Sequence, residues 1–186
     1  RVPLISGDFD RNLADELNTE VTTDLSQFAK VYEEIILKLD EPTPHQAEKL
    51  KLVSQDEDFH IRAAAGAGKT FVALNHLVKM LETKRRCLYV ARNPALCFSV
   101  VKWLEKRLRS SRLLSHLMLL YEPLEQPRTI KIAKGRIETE LAENPGFDLV
   151  VVDEAHHLYR DSKLRALVEK QIGADARRLI LSDLSQ

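Results

Sequence analysis

The sequence predicts an α/β fold, a parallel β-sheet with helices on both faces, and two observations carry that expectation. From Phe59 onward, short β-rich runs alternate with longer helical runs, and "DLVVVD" is apolar without interruption between its two aspartates. Strand–helix alternation implies parallel strands joined by crossover helices. An uninterrupted apolar strand implies a central position, covered on both sides.

The elements follow in chain order. Residues 1–40 read as a helical N-terminal segment, because Leu25, Phe28, Tyr32, Ile35, Ile36 and Leu39 recur at helix spacing behind a "TTD" cap. Pro42 and Pro44 in "DEPTPHQ" interrupt it, since proline cannot continue a helix. A short helix over about 45–53 comes next, and the α/β domain spans 41–186. Within it "FHIRA" precedes "TFVALNHLVKML", "CLYVA" precedes "PALCFSVVKWLEKRL", "FDLVVVD" precedes "SKLRALVEKQI", and "RRLILSD" closes the series as a strand. The stretch 113–136 contains "LLSHLMLLY", which suits a helix or a strand equally.

Composition limits the function classes. A chain of 186 residues can bury about 70% of its unfolded surface, enough for a self-supporting core. Lys+Arg and Asp+Glu both number 28, so bulk charge argues for neither a nucleic-acid nor a membrane partner, and only local patches can act. No apolar run approaches the ~20 residues of a membrane span. Cys87 and Cys97 form no metal pattern and suit buried thiols in a reducing compartment, hence an intracellular protein of cytoplasm or nucleus. The chain starts at Arg1 and stops just after a strand-like run, and reads as a piece of a longer protein.

The chemistry is concentrated in two places. "AAAGAGKTF" lies between a strand and a helix. A phosphate cradle needs backbone N–H groups turned inward, which favours glycine at positive-φ positions such as Gly66 and Gly68. Lys69 would reach the β- and γ-phosphates and Thr70 would ligate Mg²⁺, while the helix N-terminus adds partial positive charge. Ala65, Gly66, Ala67, Gly68, Lys69, Thr70 and Phe71 are thus the candidate binding residues. The pattern G-x-x-x-x-G-K-[ST] has Ala63 in place of its first glycine, so the loop must enter in ordinary β conformation. The second place is "DLVVVDEAHH", whose strand delivers Asp153 and Glu154 to the sheet edge where ligands of parallel sheets bind. Asp153 can hold Mg²⁺ and Glu154 can orient and deprotonate an attacking water. His156 and His157 lack further ligands for a metal and are read as surface or coupling residues. Gln186, after the last strand, could reach the γ-phosphate or its attacking water.

Taken in order, "RAAAGAGKT", "VVVDEAHH" and "LILSDLSQ" resemble the first RecA-like domain of superfamily 1 helicases and helicase-like P-loop NTPases, Schlafen-type relatives included. In that family alanine often replaces the first loop glycine. The third motif is usually G-D-x-x-Q; here Ser182 replaces the glycine, and Asp183 and Gln186 match. A superfamily 2 protein would show S-A-T there, so the resemblance treats the DEAH letters as misleading about class. "PTPHQAEKL" resembles the adenine-reading glutamine motif and carries that role onto Gln46, whose amide suits both edges of adenine. "VARNPAL" stands where a single-strand-contacting motif lies, matching at Asn93 and Ala95 only.

The resemblance implies Mg-dependent ATP binding and hydrolysis, with Lys69, Glu154 and Gln186 as catalytic residues. It also implies a second RecA-like domain, or a partner, supplying an arginine worth about 10³–10⁵ in rate. Without that arginine the present chain is expected to be slow or inactive. Arg92 and Arg160 are expected to form surface ion pairs instead. Two classes of parent stay open: a nucleic-acid motor, or a nucleotide-state switch in signalling or defence that unwinds nothing. "KWLEKRLRSSR", with Trp103, is either a track for single-stranded nucleic acid or an ordinary amphipathic helix.

Overall fold

The computed structural model describes residues 42–53, 57–133, 136–173 and 175–184. The expected N-terminal helical segment 1–40 and Gln186 lie outside the described residues.

Helix α1 (Pro44–Val53) leads into strand β1 (Phe59–Ala63) and helix α2 (Lys69–Glu82). Strand β2 (Cys87–Val90) and helix α3 (Pro94–Arg107) repeat the unit. A 3₁₀ turn over Ser111–His116 runs into β3 (Leu117–Leu120), and β4 (Arg128–Ala133) and β5 (Arg136–Leu141) follow. Strand β6 (Leu149–Val152) leads through the short α4 (Ala155–Tyr159) to α5 (Ser162–Ile172), and β7 (Arg177–Asp183) completes the sheet.

Among the described residues seven strands form one sheet in the order β1–β7–β6–β2–β3–β4–β5. The pairs from β1 through β3 are all parallel. The expected parallel sheet with helices on both faces is therefore present. It is mixed rather than uniform, because β4 and β5 add an antiparallel edge. The stretch that suited helix or strand equally contains both: "LLSH" lies in the 3₁₀ turn and "LMLL" is β3.

Alternation along each strand sorts side chains between two helix layers. Tyr89, Leu117, Leu119, Val151 and Leu179 face α2 and α3, while Leu88, Val90, Leu120, Val150 and Val152 face α4 and α5. Every residue of β2 and β6 is buried, as a strand covered on both faces requires. Each fully buried valine or leucine contributes roughly 1.5–3 kcal/mol over an exposed one.

Trp103 belongs to this core. It is 1% exposed, meets Phe71 edge-on with centroids 6.1 Å apart, and carries the Arg107 guanidinium 4.1 Å from its ring centroid. It is not placed to stack on a base, which corrects the single-strand reading of "KWLEKRLRSSR"; the amphipathic reading holds. Cys87 and Cys97 are buried free thiols. Burial pushes the Cys87 thiol up to about 12, so it stays protonated at neutral pH.

Candidate functional site

Register brings the three candidate stretches to one sheet edge. Ala63 pairs with Asp183 across β1 and β7, and Val152 pairs with Ile180 across β6 and β7. β7 thus separates the loop strand from the acidic strand, and its own Asp183 lies between them. The Asp153 N–H donates to the Val90 carbonyl at 2.8 Å, which fixes the acidic residue directly beyond its strand.

The loop has the predicted backbone. Gly66 and Gly68 stand at φ 75° and 82°, a region that costs other residues roughly 1–2 kcal/mol. Ala63 is part of β1, so the loop is entered in β conformation as its alanine demands. Gly68 is the N-cap of α2 and no side chain caps that end, so the first N–H groups of a 14-residue helix are left for another acceptor. Gly68 has a second constraint: a Cβ there would stand 2.2 Å from Gln46 Nε2.

Gln46 is therefore beside the phosphate loop, as an adenine-reading residue would have to be. It also has a structural task. Its Oε1 accepts from the Thr43 N–H at 3.0 Å, and Thr43 Oγ1 accepts from the Gln46 N–H at 3.3 Å. This reciprocal capping box starts α1.

Lys69, Thr70, Asp153, Glu154 and Asp183 line a single crevice of about 160 Å³ together with Ala65 and Gly66. Its size is below the ~300–1,000 Å³ of a whole-ligand pocket and suits only the phosphate end of a nucleotide. Lys69 Nζ donates to the Ala63 and Ala64 carbonyls at 2.9 Å each and to Asp183 Oδ1 at 2.5 Å. Thr70 Oγ1 donates to Asp153 Oδ2 at 3.0 Å, so the hydroxyl and the carboxylate are adjacent across the two elements. Tyr89 Oη donates to the same oxygen at 2.6 Å, and the Glu154 N–H donates to Asp153 Oδ1 at 2.8 Å.

Asp153 is 3% exposed. Burial raises its pKa, and the bonds from Tyr89, Thr70 and the Glu154 N–H, with the Lys69 charge, oppose that rise. Burial also raises Glu154, helped by the neighbouring Asp153 carboxylate. Glu154 caps α4 in left-handed conformation at φ 48°, ψ 40°. Such a conformation in a non-glycine residue costs about 1–3 kcal/mol and is concentrated at functional sites.

Phe71 points away from the crevice into the core, at 2% exposure. Ala67 turns back through its N–H to the Ala64 carbonyl at 3.2 Å. Asn93 caps α3 by accepting from the Ala95 N–H at 2.8 Å, so its side chain is already engaged. Arg92 forms the expected surface pair, 2.6 Å from Glu122. Arg160 has no such pair among the described residues and lines a neighbouring cleft instead.

Two contributions were not legible in sequence. Tyr89 sits in a plain apolar strand, where nothing marks its hydroxyl as a partner of Asp153. The Lys69–Asp183 pair spans 114 positions, and no local pattern links its members. A hard, oxygen-only pair such as Thr70 and Asp153 fits the ligand preference of Mg²⁺.

The fold and this edge are those of the first RecA-like domain of a helicase. A sequence model of the DEAD/DEAH box helicase family matches residues 43–182, and the chain belongs to that family. No curated protein gave a match. Family membership makes this a helicase-like, ATP-binding type of domain. No described helix is long and apolar enough to cross a membrane.

Proposed function

We propose that this domain binds Mg·ATP with its triphosphate between the N-terminus of α2 and Asp153, and hydrolyses it as part of a larger nucleic-acid-dependent ATPase. The observation that carries the reading is the shared crevice of Lys69, Thr70, Asp153 and Glu154. Four chemically distinct requirements of phosphoryl transfer are met there by adjacent side chains.

The roles divide by chemistry. The uncapped N–H groups of α2 and the Lys69 ammonium bind phosphate oxygens. Thr70 and Asp153 would hold Mg²⁺, which when bound neutralises charge on the β- and γ-phosphates. Tyr89 keeps one Asp153 oxygen oriented. Glu154 accepts the proton of the attacking water; burial raises its basicity toward what that task needs. Gln46 would contact adenine by giving up its bond to the Thr43 N–H. Gln186 would position the attacking water. An arginine from a second RecA-like domain or from a partner would complete the transition-state charge. The ATP-driven reading also supports an intracellular location.

The decisive comparison is Glu154→Gln against the parent. The expected outcome is Mg·ATP binding of similar affinity with turnover reduced at least a hundredfold, in line with the 10²–10⁴ typical of a general base. Equal turnover in the two proteins would remove Glu154 from the chemistry.

A further inference from the structure

Beside the nucleotide crevice lies a larger cleft of about 770 Å³, and His156, Ser182 and Asp183 form part of the wall of both. Its volume is that of a small-ligand site. Four arginines line it: Arg62 of β1, Arg160 at the end of α4, Arg165 of α5 and Arg178 of β7.

The acidic side chains in its wall are already engaged. Asp183 holds Lys69, and Glu169 accepts from Arg178 Nη2 at 3.2 Å and from Tyr159 Oη at 3.0 Å. Arg165 has its guanidinium 5.7 Å from the centroid of the Tyr159 ring. Arg62 and Arg160, both exposed, have no ion-pair partner among the described residues. Two lining side chains also hold orphaned polar atoms, since His156 Nδ1 and Arg178 Nε are buried without a hydrogen-bond partner. A buried polar atom left unpaired costs about 1–3 kcal/mol. The cleft thus combines surplus positive charge with an unused Arg178 N–H, in a chain whose formal net charge is zero.

We propose that this cleft binds a phosphate-bearing anion, with Arg62 and Arg160 as its charged contacts, separately from the triphosphate crevice. Guanidinium forks match phosphate oxygens two at a time, and a phosphate supplies more acceptor oxygens than a single carboxylate. The phosphate is either free, as in pyrophosphate, or part of a single-stranded nucleic-acid backbone. Because His156, Ser182 and Asp183 belong to both walls, an anion here adjoins the residues that face the triphosphate. The inference does not depend on ATP hydrolysis.

The test uses the full chain carrying Lys69→Ala with Asp183→Asn, which silences the triphosphate crevice without freeing a carboxylate in the cleft wall, and compares it with the same chain carrying Arg62→Gln and Arg160→Gln as well. Pyrophosphate is titrated by calorimetry, and a short labelled single-stranded oligonucleotide by anisotropy over a salt series. Binding of either probe, weakened about tenfold or more by the double substitution, is the expected result. Pyrophosphate alone binding identifies a free phosphate as ligand, and the oligonucleotide alone identifies a backbone. For the oligonucleotide, losing two phosphate contacts should flatten the salt slope by about 1.4. If Lys69→Ala with Asp183→Asn compromises folding, the unsubstituted chain saturated with a non-hydrolysable ATP analogue replaces it. Neither probe binding, or affinity unchanged by the double substitution, overturns the proposal.

Discussion

The Lys69 ammonium is held by the Asp183 carboxylate, 2.5 Å away, with both side chains largely buried at 11% and 21% exposure. The lysine at the start of α2 is therefore tied to the end of β7 as well as to its own loop. A triphosphate entering the crevice competes with Asp183 for that ammonium and meets a like charge beside it.

Replacing Asp183 with asparagine should consequently tighten Mg·ATP binding. Relief of a solvent-screened like-charge contact of about 1 kcal/mol corresponds to about fivefold. Equilibrium titration with a fluorescent ATP analogue reads this directly, and weaker binding in Asp183→Asn would make the aspartate a contributor to affinity rather than a competitor.

Gly66 and Gly68 differ in a way that a mutant cycle resolves. Both have positive φ, but a Cβ at Gly66 meets nothing within 4 Å, whereas one at Gly68 meets Gln46 at 2.2 Å. Gly66→Ala should lose about 1 kcal/mol of stability, from backbone conformation alone. Gly68→Ala should lose slightly more, because the Gln46 amide must swing away from the new methyl, and that excess should vanish when the glycine is replaced in a Gln46→Ala background, whose own loss of the α1 cap is measured separately. Urea unfolding of five proteins, the parent, Gly66→Ala, Gly68→Ala, Gln46→Ala and the Gly68→Ala Gln46→Ala pair, provides the cycle. Equal losses at the two glycines would show that Gln46 does not press on the loop.

Glu154 combines a left-handed backbone with a carboxylate that burial disfavours. Glu154→Gly should therefore stabilise the fold by about 1 kcal/mol, or about 2–4 °C in Tm for a chain of this size, while turnover is lost. A lower melting temperature would mean that the glutamate is retained for packing instead.

His76 gives a pH signature. Its ring lies 2.6 Å from Arg177 Nη2, and burial, then Arg177 and Lys79, lower its pKa from 6.5 to about 4. Between those values the unfolded chain takes up a proton that the folded chain refuses. This contribution to stability is complete above about pH 6.5, falls as pH drops toward 4, and changes no further below that. It amounts to about 2 kcal/mol between pH 7 and pH 5. Denaturant unfolding at both pH values should show that loss in the parent and a smaller one in His76→Gln.

What the sequence disclosed follows from how local each signal was. The strand runs "FHIRA", "CLYVA", "FDLVVVD" and "RRLILSD" are strands because burial on one or both faces depends only on the run itself. The glycine positions were legible because positive φ is a property of single residues. The antiparallel β4–β5 edge was not read, although Ile130, Ile132 and Ile137 alternate with polar residues and pack on the α2 side. Its half-polar pattern is weaker than that of the central strands, and 113–136 also contains the helical "LLSH". The acidic pair, the loop and their meeting at one sheet edge were legible, but the strand order that produces the meeting and the Lys69–Asp183 pair were not. Placing β7 between β1 and β6 brings Asp183 to Lys69 and Asp153 to Thr70. Residues 1–40 and Gln186 lie outside this comparison.

The most direct measurement is Mg·ATP affinity in the parent and in Lys69→Ala, with and without a chelator. A triphosphate lodged at the start of α2 loses its charge-assisted contacts in Lys69→Ala, and roughly 1.5–3 kcal/mol per contact lowers affinity by at least tenfold. Saturable, Mg-dependent binding in the parent that disappears in Lys69→Ala is the predicted result; binding of equal strength in both would contradict it.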